Sequence, residues 1–330
     1  MMGSDVMDIV TLGEILIDMF PSEVGYRLAD VPAFYPKPGG APANVAVAVS
    51  RLGKKSAFIG KVGEDAFGHS LIDVLKQNGV ETRGMRIDPV VRTTMAIIAM
   101  PDENTAEFIF YRNPGADLCL RADELDQELL SNTKVFHCGS LSLVDEPARS
   151  AQFQAAGLAK QGGALISFDV NFRLSLWANP QTALAQIWEM LALTDLLKVN
   201  EGELALLTGG TDLEAGCKSL LAKGVQLVAV TLGAKGSYYY CENASGFIPA
   251  FEVETVDAVG CGDAFIAGVL VQLSSLGDWK TALNSDFLNH TFTYANAVGA
   301  VTALTRGVIP ALPGAAQVEQ FLKAQKSILL

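Results

Sequence analysis

Short apolar runs alternate with longer stretches of helical character along most of this chain. The runs have the length of buried strands, and the longer stretches carry apolar residues at helical spacing or continue without glycine or proline. Near-continuous apolar strands separated by helices are typical of a parallel sheet covered on both faces. The pattern predicts strands at residues 8–16, 56–62, 135–138, 164–169, 196–199, 227–231 and 236–241. It predicts helices at residues 43–52, 68–78, 146–161, 180–193, 201–207, 213–223, 263–276, 287–303 and 315–326.

One region departs from this alternation. Residues 94–100 and 106–111 are extended runs on either side of the turn-like residues 101–104, which is the signature of a β-hairpin. Residues 20–38 have no helical pattern and mix prolines with aromatic and charged side chains. We therefore expect a small strand-rich insertion on an α/β body.

Composition narrows the class of protein. Of 330 residues, 50% are hydrophobic and 18% are charged, so the chain can bury a sizeable core. The net charge of −12 would repel a phosphate backbone, so we expect no nucleic-acid partner.

Location can also be predicted from the sequence. We expect no membrane span, because no apolar run reaches about 18 residues, and no signal peptide, because no basic segment precedes an apolar one at the start. The 5 cysteines and 3 histidines lack zinc-type spacing. Unpatterned cysteines of odd number indicate reduced thiols in a cytoplasm.

The strongest chemical signal is the segment Asp-Ala-Val-Gly-Cys-Gly-Asp-Ala-Phe at residues 257–265. It leads into an apolar stretch of helical length, and glycines before a helix let backbone N–H groups converge on an anion. Asp263 can take a proton from a hydroxyl at such a site. For an isolated acid in this position, capping the helix is the more frequent role.

A second glycine-rich segment, Gly-Gly-Ala-Pro-Ala-Asn at residues 39–44, also enters a predicted helix. Paired glycines permit close approach of a ligand, and an asparagine offers donor and acceptor groups. An ordinary loop-to-helix junction is the alternative. The chain has no Walker P-loop, no Gly-x-Gly-x-x-Gly behind a strand and no Gly-x-Ser-x-Gly elbow, so those nucleotide-binding and hydrolase classes lose their main support.

Together, in this order and at this separation, the two segments resemble the signature regions of the PfkB (ribokinase-like) family of sugar kinases. The likeness covers residues 8–320 and is greatest to the fructokinases. It implies a ribokinase-like three-layer α/β sandwich with a mostly parallel central sheet, helices on both faces and a small β lid. The body would comprise residues 1–19, 39–89 and 116–330, and the lid over the sugar residues 20–38 and 90–115.

The resemblance implies roles around the second signature. Asp263 would be the general base that deprotonates the acceptor hydroxyl, and the N–H groups around Gly260, Cys261 and Gly262 would form the anion hole for the γ-phosphate.

It also implies a sugar site at the first signature. Gly39, Gly40 and Asn44 would contact the sugar, and Asp18 would grip two of its hydroxyls. A solvated acid at a strand end is the alternative for Asp18.

Residues 110–117 and 168–177 resemble the fructokinase forms of the lid-to-body junction and of an Asp-x-Asn-x-Arg strand. Arg112 and Arg173 would then face the sugar or the nucleotide phosphates, which suits the planar fork of arginine. The alternatives are a salt-bridging surface residue for Arg112 and a structural partner of Asp169 for Arg173.

The nucleotide and its metal are implied by three further segments. Asn200 and Glu203 resemble an Asn-x-x-Glu motif that organises Mg²⁺ through water; a helix start with acids in its first turn is the alternative. Asn296 would lie beside the adenine or be a plain buried polar residue. The residues that would border ATP are Thr231, Gly233, Lys235 and Gly236.

Two residues depart from the usual family pattern. Ala258 stands where a threonine is usual, and Cys261 where an alanine is frequent. A thiol at a helix N-terminus tends to have a lowered pKa, so we expect alkylating reagents to inactivate the enzyme and ATP to protect it. Relatives also hold a monovalent cation through carbonyls like those of Asp257 and Val259, which implies activation by K⁺.

The resemblance therefore implies an ATP-dependent phosphotransferase with an alcohol acceptor, acting on D-fructose at the 6-hydroxyl. Another PfkB sugar kinase, for 2-keto-3-deoxygluconate, ribose or a riboside, is the first alternative. A non-catalytic sugar sensor or scaffold on the same fold is the second, although the intact Asp263 and glycine pair argue against it. Exposed lid strands favour a homodimer.

Overall fold

A nine-stranded sheet forms the centre of the computed structural model, which describes residues 6–102 and 105–328. In chain order its strands and those of a second sheet are β1 (Met7–Leu12), β2 (Leu16–Pro21), β3 (Phe34–Gly39), β4 (Ser56–Gly63), β5 (Met85–Asp88), β6 (Met95–Asp102), β7 (Thr105–Tyr111), β8 (Thr133–Gly139), β9 (Leu165–Asp169), β10 (Leu196–Asn200), β11 (Leu227–Thr231), β12 (Gly236–Cys241) and β13 (Ser245–Pro249).

The central sheet is parallel except at one edge. Its order is β13-β12-β11-β10-β9-β8-β1-β4-β5, and β12 and β13 pair antiparallel to their neighbours. The carboxyl ends of the parallel strands therefore share one edge of the sheet, where α/β proteins place their ligands.

Helices cover both faces, as the sequence predicted. They are α1 (Ala41–Arg51), α2 (Ala66–Gln77), α3 (Gln127–Ser131), α4 (Ala148–Gln161), α5 (Pro180–Leu191), α6 (Glu201–Thr208), α7 (Leu213–Leu221), α8 (Cys261–Leu273), α9 (Ser285–Ala303) and α10 (Ala315–Ile328). One apolar core joins α1, α2, α8, α9 and α10 to the sheet, and the other joins α3 to α7. The predicted fold class is confirmed.

Close packing of α8 brings the two glycine-rich segments together. Residues 264–271 of α8 are all buried, and a Cβ added at Gly268 would lie only 2.8 Å from the Cα of Ala295 in α9. Helix α1 is buried from Pro42 to Val49 and packs against α8 from the other side. The N-termini of α1 and α8 consequently meet at the carboxyl edge of the sheet.

A second sheet, in the order β3-β2-β6-β7, stands beside this edge. The predicted strand at residues 8–16 is in fact two segments: β1 ends at Leu12, and the chain passes through Gly13, at φ +154°, into β2 of the other sheet. Strands β3, β5 and β13 and helix α3 were not predicted. Two prolines in β3 conceal it, and they are tolerated because β3 is an edge strand. Of the predicted hairpin turn, residues 103 and 104 lie outside the described residues.

Candidate active site

The two signature segments meet through a direct hydrogen bond. Asn44, in the first turn of α1, donates from Nδ2 to Oδ2 of Asp263, in the first turn of α8, at 2.8 Å. The residue at the N-cap of α8 is Gly260, at φ +80°, and it contributes no side-chain cap. Asp263 therefore does not act as the helix cap that was its alternative role, and its carboxylate is instead bonded to Asn44 of α1.

The environment of Asp263 favours its protonated form more than water does. Its pKa is raised to about 6, mainly by burial and to a smaller extent by the negative charge of Asp169. The hydrogen bond from Asn44 and the positive charges of Lys198 and Arg173 act in the opposite direction. A carboxyl group with a pKa near 6 is ionised at neutral pH and remains basic enough to accept a proton.

Backbone donors surround the start of α8. The N–H groups of Gly260, Gly262 and Asp263 have no acceptor among residues 6–102 and 105–328, as expected for the first turn of a helix. A Cβ added at Gly260 would lie 2.3 Å from Val308 Cγ1, so a larger residue cannot form this turn. The arrangement offers an anion converging N–H groups and the positive end of the helix dipole.

Asp18 and the glycine pair at residues 39 and 40 lie near Asp263, whose charge acts on the carboxyl group of Asp18. A Cβ added at Gly39 would stand 1.9 Å from Asp18 Oδ2, so the carboxylate rests directly on the glycine backbone. Burial and, to a smaller extent, the charge of Asp263 raise the pKa of Asp18 to about 7, against the opposite effect of Arg173. Gly40 adopts φ +108° against the carbonyl oxygen of Glu14, a conformation that excludes other residues.

Asn44 retains an unused acceptor. The residue is 4% exposed, and its Oδ1 is buried with no hydrogen-bond partner in the described part of the chain. Buried amide oxygens are usually satisfied, so this one indicates a ligand that brings a donor such as a hydroxyl.

The two candidate arginines differ in their surroundings. Arg112 is buried, and its guanidinium forms an ion pair with Asp117 (Nε–Oδ2 2.8 Å) and donates from both terminal nitrogens to the carbonyl oxygen of Leu141 at 3.1 Å. Arg112 thus forms the salt bridge of its alternative role, but it does so in the core and not at the surface. Arg173 is exposed and donates to the carbonyl of Phe172.

A cleft of ≈ 340 Å³ opens beside Arg112. Its walls include Phe110 at the end of β7, Asn113, and Ser175 just beyond Arg173. The cleft therefore lies between the end of β7 in the second sheet and the segment that follows Arg173 in the body.

Asn200 and Glu203 form a capping box at the start of α6. Asn200 Oδ1 accepts the N–H of Glu203 at 2.9 Å, and Glu203 Oε2 accepts the N–H of Asn200 at 2.8 Å. Glu203 Oε1 accepts the N–H of Phe172 at 2.8 Å. The described ranges contain no cluster of three or more His, Cys, Asp or Glu side chains able to hold a metal. An ion at this edge would need water and phosphate oxygens to complete its shell, which is the usual situation of Mg²⁺.

The segment after β11 lies next to Asn200, because Thr231 is its registered neighbour in the sheet. Gly233 adopts φ +58° and Gly236 φ +126° in the tight turn that follows. Lys235 is exposed there and pairs with Glu201 at 3.2 Å.

The side chains of Asn296 and Asp257 form hydrogen bonds within the protein. Asn296 accepts from Ser237 Oγ at 2.9 Å and donates to the carbonyls of Ile248 and Pro249 at 3.1 Å, which ties α9 to the sheet edge. Asp257 accepts the N–H groups of Val259 and Gly307 at 3.0 Å through its side chain. Its carbonyl oxygen accepts the thiol of Cys261 at 3.9 Å and is the group that a cation would use.

A comparison with known proteins identifies the family. The model described as "pfkB family carbohydrate kinase" matches residues 7–315. The chain belongs to the pfkB family of carbohydrate kinases. The predicted resemblance is therefore confirmed. The kinase is 45% identical over 319 residues to a protein named probable fructokinase-6, chloroplastic, from Arabidopsis thaliana, across 96% of this chain and 83% of the relative.

Two solved structures share the fold of this kinase. A fructokinase double mutant from Vibrio cholerae O395, in a form with fructose, ADP and potassium ion bound, has a TM-score of 0.85 and 34% identity over 97% of this chain and 99% of its own. A putative ribokinase II from E. coli in complex with ATP and Mg²⁺ has a TM-score of 0.85 and 30% identity over 96% of this chain and 99% of its own.

The expected reactivity of Cys261 is not supported by its surroundings. Burial, together with the smaller effect of the Asp257 and Asp263 carboxylates, raises the pKa of this thiol to about 12. These effects outweigh the helix N-terminus, so the prediction of a lowered pKa is wrong.

Lys198 and His137 are polar residues of the site that the sequence analysis did not single out. Lys198, in β10, pairs with Asp169 in β9 at 3.0 Å, which explains why Arg173 is not the partner of Asp169. His137 in β8 contacts Ser167 Oγ at 3.0 Å, and burial lowers its pKa to about 4, so it is neutral. A charged residue inside an otherwise apolar strand was the available signal for Lys198.

In the described part of the chain, no helix is both long enough and apolar enough to cross a membrane.

Proposed function

We propose that this kinase transfers the γ-phosphoryl group of ATP to the 6-hydroxyl of D-fructose and releases fructose 6-phosphate and ADP. The observation that carries the proposal is the contact of Asn44 with Asp263 beside the free N–H groups of α8, in a chain whose relatives are named fructokinases. A base, an anion site and a hydroxyl-binding carboxylate are the parts that phosphoryl transfer to an alcohol needs.

Asp263 acts as the base. Its carboxylate accepts the proton of the sugar hydroxyl while the sugar oxygen bonds to the γ-phosphorus and the bond from that phosphorus to the β–γ bridging oxygen breaks. The free backbone N–H groups of Gly260 and Gly262 face the charge on the transferring group. The N–H of Cys261, the third predicted member of the anion hole, donates to the carbonyl oxygen of Ala258 at 3.3 Å. Asp18, Gly39, Gly40 and Asn44 hold the sugar, and Arg173 lies close enough to influence both carboxylates.

Mg²⁺ supplies charge neutralisation on the phosphates when it is bound. Asn200 and Glu203 would hold its water shell, because the side-chain oxygens of the capping box can each accept a further hydrogen bond. Thr231, Gly233, Lys235 and Gly236 border the nucleotide, and Asn296 fixes the strand edge beside it. The carbonyls of Asp257 and Val259 contribute to a K⁺ site.

Residues 20–38 and 90–115 form a lid over the sugar that excludes water during transfer. The outer strands of the second sheet expose apolar rings and side chains, including Tyr35 in β3 and Ile109 and Tyr111 in β7. Pairing of these exposed edges between two copies makes the protein a homodimer. Light scattering behind size exclusion tests this state, and a monomeric mass across the working concentration range contradicts it.

The protein acts in the cytoplasm, which suits its free cysteines. Fractionation of the source cells with an antibody to the chain tests the location.

A coupled ADP-release assay tests the function. The sugars compared are fructose, ribose, tagatose, glucose and 2-keto-3-deoxygluconate, with Mg·ATP and with or without KCl. We expect fructose to exceed each of the others by tenfold or more in kcat/KM. A preference for another sugar overturns the substrate but keeps the reaction, and the absence of ADP release with every sugar contradicts catalysis on these substrates.

A further inference from the structure

The link between β1 and the second sheet carries a buried carboxyl group. Glu14 is 2% exposed and lies between Leu12, where β1 ends, and Leu16, where β2 begins. Its Oε1 accepts the backbone N–H of Ala41 at 3.0 Å. Ala41 is the first residue of α1, so an acid in one segment holds the start of a helix that belongs to another.

Helix α1 does not supply this cap itself. Its N-cap residue is Gly40, which has no side chain to bond the first N–H groups. Side-chain oxygens normally do so, and a negative group at this end also interacts favourably with the helix dipole. Glycine is nevertheless required at position 40, because a Cβ there would lie 2.4 Å from the carbonyl oxygen of Glu14. The backbone of Glu14 therefore packs against Gly40, while its side chain replaces the missing cap.

The first turn of α1 connects this hydrogen bond to the candidate sugar site. The carbonyl oxygen of Gly40 accepts the N–H of Asn44 at 2.9 Å, and the Asn44 side chain donates to Asp263. A displacement of Ala41 would consequently move the turn at residues 39–44, which the proposed function assigns to sugar binding.

The nearby charges do not require Glu14 as a counter-ion. Arg112 lowers the pKa of Glu14 and Asp117 raises it, and these two residues are already paired with each other. Burial is the main reason that the pKa of Glu14 is raised to about 7. The group is therefore partly protonated at neutral pH, and both of its forms can accept the N–H of Ala41.

We propose that Glu14 is a positioning residue for sugar binding, which holds the turn at residues 39–44 in its binding conformation through the hydrogen bond to Ala41. The inference rests on the proposed function and deepens it. Because Glu14 acts through the first turn of α1, its loss should weaken the binding of the sugar and not that of the nucleotide, which the proposed function assigns to other segments.

Two conservative variants separate the hydrogen bond from the charge. Glu14→Asp keeps the carboxylate but shortens the side chain by one methylene, which withdraws the acceptor from Ala41. Glu14→Gln keeps the length and an amide oxygen but removes the ionisable group. Isothermal titration calorimetry measures the affinities for fructose and ADP. We expect Glu14→Asp to bind fructose about tenfold more weakly, the size of a lost buried hydrogen bond, and Glu14→Gln to resemble the parent. The affinity for ADP should be unchanged in both variants.

Hydrogen exchange followed by mass spectrometry gives a readout that does not depend on a ligand. The amides at residues 43–45, in the first turn of α1, should exchange faster in Glu14→Asp than in the parent and in Glu14→Gln, while those of α8 stay unchanged.

Three results would overturn the inference. The first is an equal affinity of Glu14→Asp and the parent for fructose. The second is an equal loss of fructose and ADP affinity, which a purely structural role predicts. The third is a loss of fructose affinity in Glu14→Gln that matches or exceeds the loss in Glu14→Asp, since this would assign the effect to the charge.

Asp126→Ala is the matched control. Asp126 is also a carboxylate that caps a helix, accepting the N–H of Leu129 at 2.9 Å, but its helix α3 leads into the amino end of β8, at the opposite edge of the sheet. Its loss should lower stability without changing the ratio of fructose to ADP affinity. Failure of the unmodified protein to bind fructose overturns the proposed substrate, and exchange at the start of α1 then still decides whether Glu14 holds this turn.

Discussion

Replacing Asp263 by asparagine should make the kinase slower and more stable at the same time. The asparagine side chain has nearly the same size as aspartate, and its amide oxygen can still accept the 2.8 Å hydrogen bond from Asn44. It cannot accept the proton of the sugar hydroxyl. Loss of a general base costs about 10²–10⁴ in turnover, so kcat should fall by that factor while nucleotide binding persists.

The stability change follows from the buried charge. The pKa of Asp263 rises from 3.8 to about 6 in the folded protein, mainly because of burial. An acid with a raised folded pKa destabilises the fold once it ionises, because unfolding then returns the charge to water. At about 1.36 kcal/mol per pKa unit, this shift corresponds to about 3 kcal/mol. The gain in Asp263→Asn should be complete above about pH 6, shrink as the pH falls, and disappear below about pH 4.

Urea denaturation of both proteins at pH 8, 5 and 4 measures the stability difference, and the coupled assay at pH 8 measures turnover. Asp73→Asn, at an exposed position of α2, is the control and should change neither quantity. Turnover of Asp263→Asn within tenfold of the parent contradicts the assignment of the base. A stability difference that does not vary with pH refutes the argument from burial.

Three further predictions concern other parts of the site. Asp18→Asn should raise the KM for the sugar about tenfold or more and affect kcat less, because the carboxylate contributes to binding; steady-state kinetics measure both. Arg112→Met should lower the free energy of unfolding by about 3–5 kcal/mol, because it leaves the buried Asp117 carboxylate without its cation. Chemical denaturation measures this difference, and a change below about 1 kcal/mol contradicts the prediction. Cys261 should react slowly with iodoacetamide at pH 8, because burial keeps its thiol protonated, and rapid modification of this residue by mass spectrometry contradicts that.

The body of the fold could be predicted because each buried strand is a short apolar run of its own. Residues 227–231 are such a run, and the predicted and observed strands coincide there. The second sheet was harder to predict because its strands obey different constraints. β3 contains prolines that an edge position tolerates, and the break between β1 and β2 depends on the backbone at Gly13 rather than on a change in hydrophobicity.

Site residues could be predicted where they lie in one contiguous segment. They could not be predicted where their role depends on contacts with residues far away in the sequence. The segments containing Asn44 and Asp263 were recognisable separately, but their contact spans 219 positions and needs the packing of α1 on α8. Lys198 lies in an apolar strand, and its neighbours Asp169 and Gly262 come from other elements. The high pKa of Cys261 likewise arises from burial, which cannot be inferred from its position at the start of a helix.

The charges of Asp18 and Asp263 interact, and this interaction gives a final prediction about the pH dependence of sugar binding. Burial and the charge of Asp263 together raise the pKa of Asp18 to about 7. If ionised Asp18 holds the sugar hydroxyls, sugar affinity should increase as the pH rises through the pKa of Asp18. In Asp263→Asn one of these causes is gone, so the midpoint of the increase should move to lower pH. Calorimetric titration of fructose between pH 5 and 9 measures the midpoint without turnover, and Asp18→Asn should abolish the pH dependence. An unchanged midpoint in Asp263→Asn refutes the linkage, because the charge that separates the two proteins would then have no effect on Asp18.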